Sequence, residues 1–173
     1  MKNMTKEHGP NAIGVDVGRV LVGGDGPDTS FLGVPLAEAM NARPIDGAIE
    51  ALAVLFEHTA GHLYLVSKCG PSVEKKTLAW LDHHRVYART GLLPSRVHFC
   101  RERPEKARIA ARLGLRAFVD DRLDVLLPMR PLGMKLVHFG ASDTDARTEG
   151  ILAAPDWRRA LTLLLDEGPT TGR

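Results

Sequence analysis

Two apolar segments of this chain lead directly into aspartate, one near the N-terminus and one about two-thirds along. The first is NAIGVDVGRV, in which Asp16 follows Val15, and the second is RAFVDDRLDV, in which Asp120 and Asp121 follow Val119. Buried parallel strands are typically short β-branched runs, and open α/β folds bind their ligands beyond the carboxyl ends of such strands. The pattern therefore predicts a parallel sheet that gathers carboxylates at one edge.

Carboxylates gathered in this way repel one another unless a cation lies among them. Hard oxygen ligands are the ones that Mg²⁺ prefers in proteins. A magnesium site at this edge of the sheet is the first functional prediction.

The rest of the chain alternates between strand-like and helix-like patterns. This order predicts parallel βαβ units and an α/β fold with a doubly wound sheet. The Gly- and Asp-rich segment VGGDGPDTSFLG predicts a small flap, residues 1–10 a ragged N-terminus and residues 168–173 a frayed tail. The predicted elements are strand AIGVDV, a helix at 45–57, strand LYLVS, a helix at 71–85, strand VHFC, helix PEKARIAARLG, strand RAFVDD, a last strand MKLVHFG and helix PDWRRALTLLLDE.

Composition is compatible with a cytoplasmic enzyme made of a single domain over residues 1–173. The net charge of +2 favours no particular partner, and no apolar run has the length of a signal peptide core or a membrane span. Cys69 and Cys100 form no CxxC pair and suit a reducing compartment as free thiols. We expect no membrane association.

Four motif positions follow one another along the chain: Asp16 at the end of the first strand, Ser67 at the end of LYLVS, Lys106 at the start of a later helix, and the DDxxD of Asp120, Asp121 and Asp124. In these residues and their order the chain resembles the haloacid dehalogenase-like (HAD) superfamily, and the resemblance extends from Asp16 to Asp124, over most of the chain. The DDR form of the last motif is similar to that of the deoxyribonucleotidase and polynucleotide phosphatase branches.

This resemblance implies a Rossmann-like core and a magnesium-dependent phosphohydrolase. Asp16 would be a nucleophile that forms an aspartyl-phosphate, which water then hydrolyses. Mg²⁺ would be held by Asp16, by the backbone carbonyl of Gly18 and by Asp121 or Asp120, with Asp124 further out.

The resemblance also implies a phosphate-binding set. Ser67 would hold a phosphoryl oxygen, helped by the backbone N–H groups of Lys68, Cys69 and Gly70. Lys106 would balance charge on the nucleophile and on the transferring group. Lys68, Lys75 and Lys76 are alternatives for this lysine, since surface lysines on helices are ordinarily solvated. Lys106 is favoured because it opens the helix just before the DD strand, where the superfamily places this residue.

Chain length bears on the substrate. The intervals between the motifs hold too few residues for a large cap domain, so the site is expected to be open. An open site suits a nucleotide, a nucleic-acid end, a phosphoprotein or another phosphorylated molecule, or a homo-oligomer whose interface completes the pocket.

Residues 68–116 carry 12 of the chain's 23 Lys and Arg, which would attract phosphate or simply form solvated helix faces. The aromatic residues near this band are too scattered to predict a nucleic-acid platform.

Gly18 is the main departure from the superfamily pattern. It replaces the second aspartate of the first motif, which is the general acid for the leaving oxygen; such groups contribute roughly 10²–10⁴-fold in rate. The chain is therefore a slow phosphatase, an enzyme for substrates with good leaving groups, or a relative that binds a phosphorylated ligand without significant turnover. Arg19, Asp25 and Asp28 are possible substitutes for this general acid.

A response-regulator receiver domain is an alternative fold, because it also uses an acidic pair, an aspartate and a lysine. Its acidic pair comes at the first strand, which is the reverse of the order in this chain.

Overall fold

The computed structural model describes residues 11–23, 34–142, 148 and 150–166. The predicted ragged N-terminus and frayed tail lie outside the described residues, as does the predicted flap except for Val22 and Gly23. Asp25 and Asp28 also lie outside them.

The described residues form a six-stranded sheet in which every neighbouring pair is parallel. The strand order is β3-β2-β1-β4-β5-β6, which confirms the predicted doubly wound α/β fold. A receiver domain has its first strand between the second and the third, so this order excludes that alternative. The strands are β1 (Ile13–Val15), β2 (Leu63–Lys68), β3 (Val97–Cys100), β4 (Ala117–Asp120), β5 (Lys135–Phe139) and β6 (Leu152–Ala154).

Helices cover both faces of this sheet. No helix among the described residues is long and apolar enough to cross a membrane. The α-helices are α1 (Leu36–Ala39), α2 (Ala48–His58), α3 (Pro71–His83), α4 (Val86–Thr90), α5 (Glu105–Arg112), α6 (Leu123–Leu126) and α7 (Trp157–Leu165), and the 3-10 helices are Pro94–Arg96 and Leu127–Leu132.

The core has one apolar layer on each face of the sheet. Ile13 and Val15 point into the layer made with α2, α3, α4 and α7, which also buries Trp80 and Trp157. The opposite layer, under α5 and α6, contains Phe118. Successive residues of a strand face opposite sides, so each strand between these layers is apolar on both faces.

Three predicted boundaries need correction. The helix expected at 45–57 begins at Ala48, because Gly47 adopts a left-handed conformation (φ 75°) at its N-cap. The helix expected at 71–85 ends at His83, and Arg85 (φ 56°) separates it from α4. MKLVHFG is not the last strand, because the three-residue β6 adds to the sheet beyond it.

A tight turn connects β1 to the cleft at the carboxyl edge of the sheet. The Val17 carbonyl accepts the N–H groups of Leu21 and Val22, at 2.9 and 3.1 Å. The indole Nε1 of Trp157, on α7, donates to the Val20 carbonyl at 2.8 Å and fixes this turn on the core. Between the motif positions the described residues form the helices and strands of the sheet and its two layers, with no large cap.

Candidate active site

Three carboxylates meet at the carboxyl edge of the sheet. Asp16 follows β1, Asp120 ends β4 and Asp121 comes next, and one oxygen of each lies within 4.8 Å of the others. β1 and β4 are the neighbours between which the strand order reverses, which is where open α/β sheets bind ligands. The structure therefore brings together the acidic residues that the sequence predicted to converge.

Lys106 is buried among these carboxylates. Its Nζ donates to Asp16 Oδ1 at 2.6 Å and to Asp120 Oδ2 at 2.7 Å, and the residue is 2% exposed. A cation in the first turn of a helix is unfavourable for the helix dipole, so helix stability does not explain its place in α5. Burial lowers the pKa of the Lys106 ammonium, but attraction to the two carboxylates outweighs burial and the pKa is raised overall.

Lys106 contacts Asp16 and Asp120, and the third carboxylate, that of Asp121, lies 3.5 Å from Arg19 Nε. Burial and the Asp16 charge raise the pKa of Asp120, and Lys106 only partly opposes them. A further cation among these oxygens would relieve that repulsion. The donor set therefore fits Mg²⁺, whose preferred ligands are oxygens.

The structure separates the roles of the two adjacent aspartates. Asp120 is fully buried and accepts Lys106 through Oδ2 and the Arg122 backbone N–H through Oδ1, at 3.0 Å. The Asp121 side chain is 14% exposed and lines the cleft, as Asp16 does. Asp120 and Asp121 were alternative candidates for the magnesium ligand, and this geometry favours Asp121. Asp120 instead holds Lys106 in place.

Gly18 lies in the turn after β1 and lines the cleft. The backbone bonds of that turn use the carbonyls of Val17 and Val22 and, among the described residues, leave the Gly18 carbonyl without a backbone partner. Gly18 is outside the left-handed region, and a Cβ added there meets no described heavy atom within 4 Å. The backbone does not require glycine at this position.

Asp124 is the predicted metal-site residue that the structure does not bring to the acidic cluster. Its carboxylate accepts Arg122 Nε at 2.9 Å, lies 3.7 Å from Arg103 Nε and is about half exposed. The hydrogen bond from Arg122 lowers the pKa of Asp124. Asp124 contacts two arginines at the cleft rim and is not among the clustered carboxylates that could hold a metal ion.

A cleft of about 370 Å³ opens in front of the acidic cluster. The predicted phosphate-binding residues Ser67, Lys68, Cys69 and Gly70 all line it, at the end of β2 and the start of α3. The Cys69 N–H, which was expected to bind phosphate, is already used. It donates to the Cys100 carbonyl at 3.0 Å and extends the β2–β3 pairing. The N-terminus of α3 and the Ser67 side chain, whose hydroxyl also hydrogen-bonds the Cys69 thiol, remain at the cleft to meet an anion.

The two cysteines are buried and free. Burial raises the pKa of the Cys69 thiol, and a hydrogen bond from Ser67 only partly offsets that effect. Burial also raises the pKa of Cys100, to about 11. Neither thiol has the lowered pKa of a reactive cysteine.

Cations surround the cleft more closely than the sequence indicated. Of the 12 basic residues in the band at 68–116, Lys68, Arg103 and Lys106 line the cleft, whereas Lys75 and Lys76 do not. Arg19 and Arg122, outside that band, complete the rim. Neither Arg103 nor Arg122 was predicted from the sequence, and their positions next to α5 and next to the DD pair were the only local signal.

The fold described above also occurs in a solved structure. A crystal structure of a haloacid dehalogenase-like family hydrolase from Xanthomonas campestris is similar to this chain, with a TM-score of 0.52 and 17% sequence identity over 72% of this chain. The chain spans 58% of the length of that protein. No protein-family model matches the chain, and no curated protein does either.

Proposed function

We propose that this protein is a magnesium-dependent phosphohydrolase of the HAD type that acts through an aspartyl-phosphate. The observation that carries the proposal is the position of Asp16, which lines the cleft while its carboxylate is held by the buried Lys106 ammonium. A carboxylate at the end of the central strand, fixed by a cation and facing an open cleft, is suited to nucleophilic attack on phosphorus.

The side chains divide the chemistry among them. Asp16 Oδ1 accepts the Lys106 ammonium, so Oδ2 is the oxygen that attacks. Lys106 stabilises the negative charge that develops on the transferring phosphoryl group. Ser67 and the N-terminus of α3 hold the phosphoryl oxygens on the other side of the cleft. Water then cleaves the aspartyl-phosphate and regenerates Asp16.

Asp16, Asp121 and the Gly18 carbonyl would hold the magnesium ion. Bound there, Mg²⁺ would neutralise charge on the phosphoryl oxygens and orient the group. Asp120 lies behind these ligands and contributes by fixing Lys106.

A phosphatase screen with Mg²⁺ across nucleotides, sugar phosphates, phosphopeptides and aryl phosphates tests the activity. Borohydride reduction during turnover tests the mechanism, because it converts an aspartyl-phosphate to homoserine that mass spectrometry locates in the sequence. We expect the modification at Asp16, in the wild type and in Asp124→Asn alike. Turnover without modification of Asp16 would contradict the covalent mechanism.

A second function is favoured by one feature of the cleft. Neither histidine nor glutamate is among the described residues that line it, so an ordinary proton donor for the leaving group is missing from them. A protein that binds a phosphorylated ligand without turnover needs no such proton donor. Phosphate binding with no hydrolysis of any substrate in the screen would favour this second function.

The substrate is a phosphorylated small molecule or macromolecule in this proposal. The described residues place no large cap over the cleft, which leaves room for a nucleotide, a nucleic-acid end or a phosphoprotein. A homo-oligomer whose interface completes the pocket is part of the same proposal.

A further inference from the structure

We infer that Arg19 is a substrate-binding residue, whose guanidinium neutralises Asp121 before Mg²⁺ binds and moves to a phosphoryl oxygen of the substrate when Asp121 holds the ion. This inference rests on the proposed function and assigns one further side chain to that site. Three observations support it, namely the backbone conformation of Arg19, its contact with Asp121 and its exposure in the cleft.

The backbone of Arg19 has a conformation that arginine rarely adopts. Its φ is 60°, in the left-handed region, where the Cβ of any residue other than glycine crowds a neighbouring carbonyl oxygen. Strain of this kind persists only where the surrounding structure holds it, and it is found most often at functional sites. An arginine in this conformation therefore points to a role for its side chain.

The surrounding structure holds the turn that carries Arg19. The Arg19 N–H donates to the Val22 carbonyl at 3.1 Å, and the Gly23 N–H donates to the Arg43 carbonyl at 2.8 Å on the next segment of the chain. The indole of Trp157 fixes the same turn from the core. The turn places Arg19 at the cleft, which its side chain lines.

Arg19 forms an ion pair with Asp121 that is suited to exchange. Arg19 Nε lies 3.5 Å from Asp121 Oδ2, which is longer than the roughly 2.7–2.9 Å of a charge-assisted hydrogen bond. The Arg19 side chain is 49% exposed, and ion pairs of exposed side chains contribute little to stability. The guanidinium can therefore leave this carboxylate at little cost when another anion is bound nearby.

Asp121 belongs to the carboxylate cluster and is a proposed ligand of Mg²⁺. A guanidinium beside this carboxylate opposes the approach of a second cation, because like charges repel. Once Asp121 holds the ion, Arg19 loses its partner there and finds the phosphoryl oxygens of a bound substrate in the same cleft. Guanidinium groups match phosphate oxygens in geometry as well as in charge.

This exchange couples the two ligands of the site. A bound phosphoryl group keeps Arg19 away from Asp121 and so favours Mg²⁺ binding. By linkage, Mg²⁺ favours phosphate binding by the same factor. Part of the coupling between the two ligands should therefore disappear when the charge of Arg19 is removed.

Two matched pairs of variants separate the charge of Arg19 from its backbone strain. Arg19→Gln removes the charge and keeps a side chain in the left-handed conformation, whereas Arg19→Gly removes the charge and the strain together. Arg85→Gln and Arg85→Gly are the controls. Arg85 is also an exposed arginine in the left-handed region, with a φ of 56°, and it does not line the cleft.

Calorimetric titration with two probes tests the exchange without turnover. For Mg²⁺ alone, both Arg19 variants should bind on the order of fivefold more tightly than the wild type, because a competing cation is gone. For inorganic phosphate at saturating Mg²⁺, both should bind on the order of tenfold more weakly, because a charge-assisted contact is lost. The Arg85 variants should leave both affinities unchanged. General damage to the site would weaken both ligands, so the opposite signs are specific to the inferred role.

Steady-state kinetics provide a second readout. With the best substrate of the screen, Arg19→Gln should raise KM on the order of tenfold and change kcat by less than about threefold. This division is expected because the guanidinium contacts the phosphoryl group in the ground state and in the transition state alike.

The outcomes distinguish the inference from the function on which it rests. Mg²⁺ binding that is unchanged or weaker in the Arg19 variants, or phosphate binding that is unchanged, would overturn the inference. Hydrolysis through Asp16 in the same experiments would leave the phosphohydrolase intact. If the two affinities change in opposite directions but the wild type hydrolyses no substrate, the proposed function is removed and Arg19 remains a residue that binds the phosphorylated ligand.

Discussion

The Lys106 ammonium lies 2.6 Å from the Asp16 carboxylate, and both side chains are less than a tenth exposed. The two residues are 90 positions apart in the chain, so this ion pair also joins the end of β1 to the start of α5. Burial of charge is costly unless each partner is satisfied, and here the same ammonium also serves Asp120. The ion pair is best understood as part of the site, since apolar packing of equal volume is often at least as stable.

Replacement of Lys106 by methionine should therefore destabilise the protein. Lys106→Met leaves two buried carboxylates without their cation, and we expect the free energy of unfolding to fall by about 3–5 kcal/mol. Urea unfolding at neutral pH measures the change. Lys75→Met, an exposed lysine on α3, is the control and should change stability by less than about 0.5 kcal/mol. Equal stability of the two variants would mean that the carboxylates are satisfied without Lys106.

Magnesium binding should depend on Asp121 and not on Asp124. Calorimetric titration should show binding by the wild type and by Asp124→Asn, and none by Asp121→Asn, because of these two aspartates Asp121 alone belongs to the acidic cluster and lines the cleft. At a concentration of 100 times its Kd, Mg²⁺ should add about 2.7 kcal/mol to the free energy of unfolding of the first two proteins. Their melting temperatures should rise accordingly. Retained binding in Asp121→Asn would assign the site to other ligands.

The convergence of the carboxylates could be predicted from sequence because it follows from a general property of parallel sheets. Asp16 and Asp120 each come at the end of an apolar run, and the carboxyl ends of parallel strands share one edge. Lys106 was different, since only the order of the motifs separated it from Lys68, Lys75 and Lys76. Its contact with the carboxylates depends on how α5 packs, which no local pattern encodes.

Other features could not be predicted for similar reasons. β6 has three residues, too few for a recognisable alternation, and it forms by adding to an existing edge. The place of Arg103 at the cleft depends on the path of the segment between β3 and α5. The partner of the Cys69 N–H depends on an extension of strand pairing beyond the end of LYLVS. Each of these is fixed by tertiary contacts.

The nucleophile assignment predicts a specific loss of activity. Asp16→Asn keeps an oxygen acceptor for Lys106 but removes the attacking carboxylate, so turnover should fall roughly a thousandfold or more while the circular dichroism spectrum is unchanged. The measurement is steady-state phosphate release with the best substrate of the screen. Wild-type activity in this variant would leave Asp16 as a structural turn residue.

Two glycines of the first motif should respond oppositely to alanine. A Cβ on Gly14 would lie 2.5 Å from Leu115 Cδ1 and 2.7 Å from Phe118 Cδ2, inside a packed layer, so Gly14→Ala should cost about 1–3 kcal/mol. A Cβ on Gly18 meets no described heavy atom within 4 Å and the backbone there is not left-handed, so Gly18→Ala should be neutral or stabilise by up to about 1 kcal/mol. Urea unfolding of both variants measures the difference, and equal effects would contradict the described packing.

Gly18 also predicts how the rate depends on the leaving group. An alkoxide needs a proton as the P–O bond breaks, whereas a phenolate or a phosphate leaves without one. The wild-type rate should therefore fall steeply across a series of phosphate esters as the leaving-group pKa rises. Gly18→Asp should flatten this dependence and raise the rate for alkyl esters by about 10²-fold or more, because the added carboxyl group has room beside the cleft.

Gly18→Asn is the control that isolates the proton. Asparagine has nearly the size of aspartate but no acidic proton to give, so this variant should keep the steep wild-type dependence. A flat dependence in the wild type, with Gly18→Asp only losing activity, would show that another group already supplies the proton. Asp25 and Asp28, beyond the described part of the first motif's loop, would then be the first carboxylates to replace.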